Sequence, residues 1–278
     1  MQILDGKTLS KTLIESVKEK VKKLQPTLAV VLVGENPASL SYIKLKQKAC
    51  ERVGIDYRQI NLPPHITQEA LIEEIKKLNQ DDQVNGFILQ LPLPDHIYSP
   101  EVIKAIDPTK DVDGFQAYNI GKTFLSPDFE DLPPATPLGI VKLLDHYDIP
   151  VQGKEVVVVG HSNHVGKPIS VMLLNRNATV TTCHIFTKDL ASHTKRADIL
   201  VVAVGKEKLI TADMVKQGAV VIDVGVNRNA QGKLCGDVDF QAIKEKASAI
   251  TPVPGGVGPM TVAALILNTV RATERQRN

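Results

Sequence analysis

Tyr42 and Lys46 lie four residues apart in SYIKLK, so on a helix they share one face. Together they could offer an aromatic plane and a cation to the same ligand. By spacing alone, a solvated lysine beside a half-buried tyrosine is the commoner arrangement. Gln90 closes the apolar run at 86–90. A polar side chain at the end of an apolar strand stands where open α/β sheets bind ligands. A glutamine that merely satisfies loop backbone fits the pattern equally well. Pro92 and Pro94 then force the chain out of any sheet.

Three carboxylates, Asp107, Asp111 and Asp113, fall in the seven residues 107–113. They lack the D-x-D-x-D-G spacing and the closing Glu of a calcium loop, so no metal site is expected. A carboxylate here could accept hydrogen bonds from an amino-heterocycle, or make only an Asx turn at Asp113–Gly114. In PVPGGVGPMT (252–261), Gly255, Gly256 and Gly258 leave the backbone bare on the way into a helix. That is more glycine than a connecting turn needs, and bare backbone lets a flat ligand approach closely.

The run VVVVGHSNHVGKP (156–168) joins an all-apolar strand to Gly160, and Gly166 opens the next helix. A tight turn into a helix N-terminus is a ready site for a pyrophosphate. The run departs from G-x-G-x-x-G, with Ser162 in place of the second glycine and Gly166 one residue late.

The elements that must carry these residues alternate along the chain. The first series reads helix 6–24, strand 28–33, helix 39–53, strand 55–62, helix 68–78 and strand 86–91, followed by helix starts at Ser99-Pro100 and Thr136-Pro137. The second reads strand 155–159, helix 166–175, strand 178–183, helix 189–196, strand 198–204, helix 212–217 and strand 219–225. Such alternation means βαβ units and parallel sheet, an α/β fold of two domains. Residues 122–134 have no period and make the expected crossing between domains. An apolar helix over 260–273 closes the chain.

Thirty-three Lys+Arg against 31 Asp+Glu leave a net charge of +2, which carries no electrostatic footprint for nucleic acid. The apolar stretches are too short to span a bilayer, and an acidic residue in MQILDGKTL argues against a secretory signal. Cys50, Cys183 and Cys235 are odd in number and scattered, as expected of a cytoplasmic protein without disulfides.

Taken in order, several motifs resemble the methylenetetrahydrofolate dehydrogenase/methenyltetrahydrofolate cyclohydrolase (FolD) family. They are VGENPAS–SYIKLK (33–46), LQLPLP (89–94), KDVDGF (110–115), PATPLGI (134–140), GHSNHVGKP (160–168), GAVVIDVGVNR (218–228), GDVDF (236–240) and PVPGGVGPMT. The resemblance implies a folate-binding catalytic domain over 1–137, with helix 260–278 packing back on it, and a Rossmann-like NAD(P)-binding domain over 138–259. It implies oxidation of 5,10-methylenetetrahydrofolate with NADP, then hydrolysis of the methenyl product to 10-formyltetrahydrofolate, by a homodimer. Lys46 matches the cyclohydrolase lysine, and Gln90 the glutamine that tunes it. Tyr42 matches the residue that stacks on the aminobenzoate ring, Asp113 the residue that grips the pterin, and Gly255, Gly256 and Pro259 the loop lining the site. Gly160, His161, Ser162, Val165, Gly166, His184, Ile185 and Val226 match the cofactor-binding positions.

His161 replaces the family's usual arginine and Ile185 its usual serine, both contacts of the NADP 2′-phosphate. The strand end Cys183-His184-Ile185 has no acid of the kind that binds the ribose of NAD. NADP is therefore expected, with NAD possible. The alternatives are a cyclohydrolase with weak or NAD-dependent dehydrogenase activity, or a non-catalytic folate or nucleotide binder. Ala135 replaces a cysteine and His164 an apolar residue, neither with an expected catalytic consequence.

Overall fold

Residues 28–33 and 156–159 carry no polar side chain, and each run becomes an interior strand of a parallel sheet. The computed structural model describes residues 1–277. In chain order come β1 (Gln2–Ile3), α1 (Gly6–Ser16), α2 (Lys18–Leu24), β2 (Thr27–Val33), α3 (Pro37–Val53), β3 (Asp56–Leu62), α4 (Gln68–Gln80) and β4 (Gly86–Leu89). Next are α5 (Ser99–Lys104), α6 (Ala117–Thr123), α7 (Ala135–His146), β5 (Glu155–Val159), α8 (Gly166–Leu174), β6 (Thr179–Cys183), α9 (Leu190–Thr194) and β7 (Ile199–Val202). The chain closes with β8 (Val220–Asp223), β9 (Asn227–Arg228), β10 (Leu234–Cys235), α10 (Phe240–Ile243), β11 (Ala249–Ile250) and α11 (Val257–Arg277). These elements form two compact units.

One unit comprises Lys11–Lys122, Glu130–Ala135 and Val262–Asn278, around the parallel sheet β3-β2-β4. Every residue of β2 is buried, and its faces serve two cores. Leu28, Val30 and Leu32 pack with Ile43 and Val53 of α3 and with Leu265, Ile266 and Val270 of α11. Ala29, Val31 and Val33 pack with Leu71 and Ile75 of α4 and with Val102. The period of two along β2 decides which helices it gathers. The closing helix returns to this unit: the buried Asn268 Nδ2 donates to the carbonyls of Val112 and Pro133, both at 2.9 Å.

The other unit comprises Met1–Ser10, Thr123–Phe129 and Thr136–Thr261, around a parallel sheet ordered β1-β11-β8-β7-β5-β6. β1 pairs with β11, so the first ten residues join this unit rather than the domain 1–137 expected for them. Two-residue strands carry no readable period, and the partner of β1 lies at the far end of the sequence. The aperiodic stretch 122–134 divides at Phe129, with Thr123–Phe129 in this unit and Glu130–Ala135 in the other.

Several expected elements shift at their ends. The helix expected over 6–24 breaks at Val17, whose N–H reaches back three residues to Ile14. The expected helix 212–217 is a single 3₁₀ turn, Ala212–Met214, because the chain is already extended at Val215, with φ −114° and ψ 135°. The strand expected over 86–91 stops at Leu89, and the closing helix is longer than 260–273. Asn278, the last residue of the expected helix 260–278, lies outside the described residues. Among those described, no helix is long and apolar enough to cross a membrane.

Asp111, fully buried, organises the loop after β4. Its carboxylate accepts from Gly114 N–H (3.1 Å), Gln116 N–H (2.8 Å) and Asn119 Nδ2 (3.0 Å). Desolvation outweighs these donors and pushes the carboxyl up to about 6, against 3.8 for a free aspartate. The folded chain therefore holds this proton more tightly than the unfolded chain. The resulting stabilisation is complete below pH 3.8 and is lost as pH rises through about 6. In denaturant titrations, wild type should gain stability relative to Asp111→Asn as pH falls from about 6 to 4, with a constant difference above about pH 7. An unfolding free-energy difference that ignores pH would contradict this account.

Candidate active site and dinucleotide site

In the three-stranded unit, α3 sets Tyr42, Lys46 and Cys50 one turn apart on one face. Lys46 is only 7% exposed, and its Nζ donates to Gln90 Oε1 at 3.1 Å. Gln90 follows the end of β4 directly. Its backbone N–H donates to Val31 O (2.9 Å) and its side-chain Nε2 to Leu91 O (2.8 Å). With the other end of the amide tied, the oxygen is aimed at Lys46. The solvated-lysine arrangement that spacing alone favours is therefore not what the fold builds.

Burial drives the Lys46 pKa down, and the Asp113 carboxylate opposes that most strongly. Cys50, also buried, has its thiol pushed up to about 12 and so stays protonated at neutral pH. Asp113 is the anion that acts on the lysine. Its position is set by Asp111, whose carboxylate accepts the Gly114 N–H, a bond that the Asx-turn alternative would have given to Asp113. Gly114 has a φ of +73°, and a Cβ there would meet Pro133 C at 2.5 Å. Asp113 O accepts the Ala135 N–H at 3.1 Å. Tyr42 is half-buried, with its phenol pKa raised by desolvation.

In the six-stranded unit, the turn after β5 is built for close approach. Gly160 has a φ of +120°, and a Cβ there would lie 2.2 Å from Ala203 O. A Cβ on Gly166 would lie 2.1 Å from Gly160 O. Ser162 Oγ accepts from Val165 N–H (3.2 Å) and Gly166 N–H (3.3 Å), capping α8. The His161 and His184 rings stand 4.9 Å apart, and Ile185 is 86% exposed. The second glycine segment belongs to this unit too: Gly255 has a φ of +112°, and its carbonyl accepts the Lys7 N–H at 2.8 Å. Gly256 is hemmed in by Pro252 O and Thr251 Cβ, each 2.7 Å from where its Cβ would stand. Pro259 is half-buried in the first turn of α11.

Residues 4–113 match the catalytic domain of tetrahydrofolate dehydrogenase/cyclohydrolase, and residues 134–277 match its NAD(P)-binding domain. The chain belongs to that family. It is 51% identical to the bifunctional protein FolD of Nautilia profundicola, over 99% of this chain and 98% of that protein. The crystal structure of the bifunctional FolD enzyme of Campylobacter jejuni superposes with a TM-score of 0.95 at 49% identity, covering 99% of both chains. The Trypanosoma brucei enzyme, solved with NADP and an inhibitor, has a TM-score of 0.95 at 34% identity, covering 99% of this chain and 98% of that one.

In this member of the tetrahydrofolate dehydrogenase/cyclohydrolase family, the six-stranded unit fits a dinucleotide. From β5 the chain goes to β6 on one side and then to β7 on the other. The strand order thus reverses between β5 and β7, and the crevice beyond their carboxyl ends is where such sheets hold ligands. Gly160, directly after β5, and Gly166, which opens α8, lie at that end of the sheet. At the end of β6, His184 Nδ1 accepts the Phe186 N–H at 3.2 Å, so the proton of the neutral ring sits on Nε2 as a free-standing donor for an anion. Phe186, 83% exposed and edge-on to His184 at 6.1 Å, was not singled out in the sequence. Its signal was a pair of apolar residues directly after a strand end. Val226 is exposed in the segment after β8.

Because Asp113 holds the lysine charged against its burial, Asp113→Asn should lower the Lys46 pKa further. Lysine side-chain ¹³Cε shifts followed through a pH titration read this directly. An unchanged or raised midpoint would mean that Asp113 does not act on the ammonium.

Proposed function

We propose that Lys46 is the general base of this enzyme, with Gln90 orienting it, Asp113 and Tyr42 binding the folate, and Gly255, Gly256 and Pro259 lining the site. The chain is a bifunctional methylenetetrahydrofolate dehydrogenase and methenyltetrahydrofolate cyclohydrolase of one-carbon metabolism, and its dehydrogenase uses NADP. The observation that carries the assignment of roles is the buried Lys46–Gln90 hydrogen bond beside Asp113. A protein that only bound folate would have no need of a cation held out of water, which costs several kcal/mol.

NADP, when bound, takes up the hydride that leaves the methylene bridge. Gly160, Ser162, Val165, Gly166 and Val226 would hold it, with His161, His184 and Ile185 taking the 2′-phosphate end. The residues of the three-stranded unit do the hydrolysis. Desolvation favours the neutral Lys46 amine, with its lone pair free once an N–H points at Gln90 Oε1. Water adds to the methenyl carbon and passes a proton to Lys46. The bond from that carbon to N5 then breaks, N5 takes the proton from Lys46, and the remaining hydroxyl proton goes to solvent as the formyl group forms on N10. The Asp113 carboxylate accepts the N–H donors of the pterin edge, and the Tyr42 ring stacks on the aminobenzoate.

The protein is proposed to be cytoplasmic, which its free cysteines Cys50, Cys183 and Cys235 support. A homodimer is proposed as well. Phe124, Leu125 and Phe129 lie exposed within one short segment of the six-stranded unit, an apolar patch of the kind that a second copy covers.

Lys46→Met should cut cyclohydrolase turnover by about 10²-fold or more while folate and NADP still bind in calorimetry. Near-normal hydrolysis by this variant would refute the general-base role. His161→Arg should raise the preference for NADP over NAD, because a guanidinium takes a phosphate bidentately. Dissociation constants for the two nucleotides check it, and an unchanged ratio would place the 2′-phosphate elsewhere.

A further inference from the structure

Two buried carboxylates in the six-stranded unit have no part in the chemistry above. Asp237 is fully buried, and its two oxygens take four donors. Oδ2 accepts from Val204 N–H (2.7 Å) and Gly205 N–H (3.0 Å), and Oδ1 from Lys206 N–H (2.8 Å) and Asn227 Nδ2 (2.8 Å). Asp223, at the end of β8, holds the next segment. Its Oδ1 accepts from Gly225 N–H (2.9 Å) and Asp237 N–H (3.0 Å), and its Oδ2 from Val238 N–H (3.0 Å). Two glycines exist to admit these groups. A Cβ on Gly225 would lie 2.2 Å from Asp237 Cγ, and one on Gly236 would lie 1.8 Å from Asp223 Oδ2.

Three successive backbone N–H groups converging on one point form an anion-binding concavity. Here the chain's own carboxylate fills it. The loop so held, 203–206, leaves the end of β7 and is one wall of the crevice between β5 and β7. Its Ala203 carbonyl backs onto Gly160, and its Val204 side chain is left exposed. Through Asn227 the same carboxylate reaches the segment after β8 that carries Val226.

We infer that Asp237, braced by Asp223, is a positioning residue of the dinucleotide site, fixing the loop after β7 and the segment after β8 as the wall against which NADP binds. The inference rests on the assignment of NADP to the β5/β7 crevice. Asp237 touches no substrate and acts through the backbone it holds. Its loss releases three N–H groups of the loop without altering Lys46, Gln90 or Asp113.

The test compares Asp237→Asn with wild type by calorimetric titration with NADP, by amide hydrogen exchange at 204–206, and by methenyltetrahydrofolate hydrolysis without nucleotide. The amide side chain keeps one acceptor oxygen but sets an NH₂ against backbone donors. NADP affinity should fall about tenfold or more, as when a hydrogen bond to a charged group is lost. Exchange at 204–206 should quicken, with hydrolysis kept within about twofold of wild type, since that step uses no nucleotide. Asn227→Ala removes one donor of the four and should weaken NADP less, in the same direction. It decides the matter if Asp237→Asn does not fold. Faster exchange with unchanged NADP affinity would overturn the inference, as would an Asn227→Ala affinity equal to wild type, or a proportionate loss of hydrolysis and NADP binding. A wild-type protein that failed to bind NADP would instead sink the underlying assignment and the inference with it.

Discussion

A cation kept out of water is the constraint on which the three-stranded unit turns. Burying an ammonium without partners costs several kcal/mol, so the fold must supply them or let the group lose its proton. It does some of each. One proton of Lys46 Nζ is accepted by Gln90, Asp113 supplies a counter-charge, and desolvation still carries the pKa downwards. Fully paired, the lysine would be an inert structural cation, and fully exposed it would keep its proton and have no lone pair with which to act as a base. Partial compensation leaves a lysine that holds its proton less tightly than an exposed one would.

That balance depends on three separate pieces of backbone. Helix α3 is anchored by Ile43, Ala49 and Val53 in the core, which turns the Tyr42–Lys46–Cys50 face towards the end of β4. Gln90, tied to β2 by its backbone N–H just past the end of β4, has both ends of its side-chain amide committed. The loop after Lys110 must place Asp113 within reach, and that is the work of Asp111 and Asn268, one taking N–H groups and the other giving N–H to carbonyls. The buried carboxylate of Asp111 thus sets the path of the chain from which Asp113 acts on the charge of Lys46.

How much of this the sequence disclosed follows the range of the interactions. The helix face at 42–46, the glycine turn at 160–166 and the alternation of strands and helices are local patterns, and the fold keeps them. Lys46 with Gln90 is 44 residues apart along the chain, and only the resemblance linked them. Within KDVDG, Asp111 and Asp113 are the same residue type two apart. Which one makes the turn depends on where Gly114 N–H points, a fact of three dimensions. Asp237 entered only within the motif GDVDF and with no role of its own, since its donors come from 204–206 and 227, and nothing near 237 signals them. The pairing of β1 with β11 joins residues at opposite ends of the chain through two-residue strands with no period to read.

The two units rely on different physics. In the three-stranded unit, desolvation and charge set the proton affinity of one side chain. In the six-stranded unit, glycines and buried carboxylates set the path of backbone, because a large polyanionic ligand is bound by shape and N–H groups more than by any single charge. The end of β6 is the exception. There a single guanidinium would give two parallel hydrogen bonds and a permanent charge, whereas two imidazoles 4.9 Å apart offer one outward donor from His184 and whatever His161 presents. Beside them Ile185 and Phe186 lie bare to solvent, and a nucleotide that covered them would bury apolar area at about 25 cal/mol per Å². Apolar cover of this kind does not distinguish NADP from NAD, so on the proposed assignment of the 2′-phosphate to this strand end, affinity for the nucleotide and the choice between the two fall to different groups.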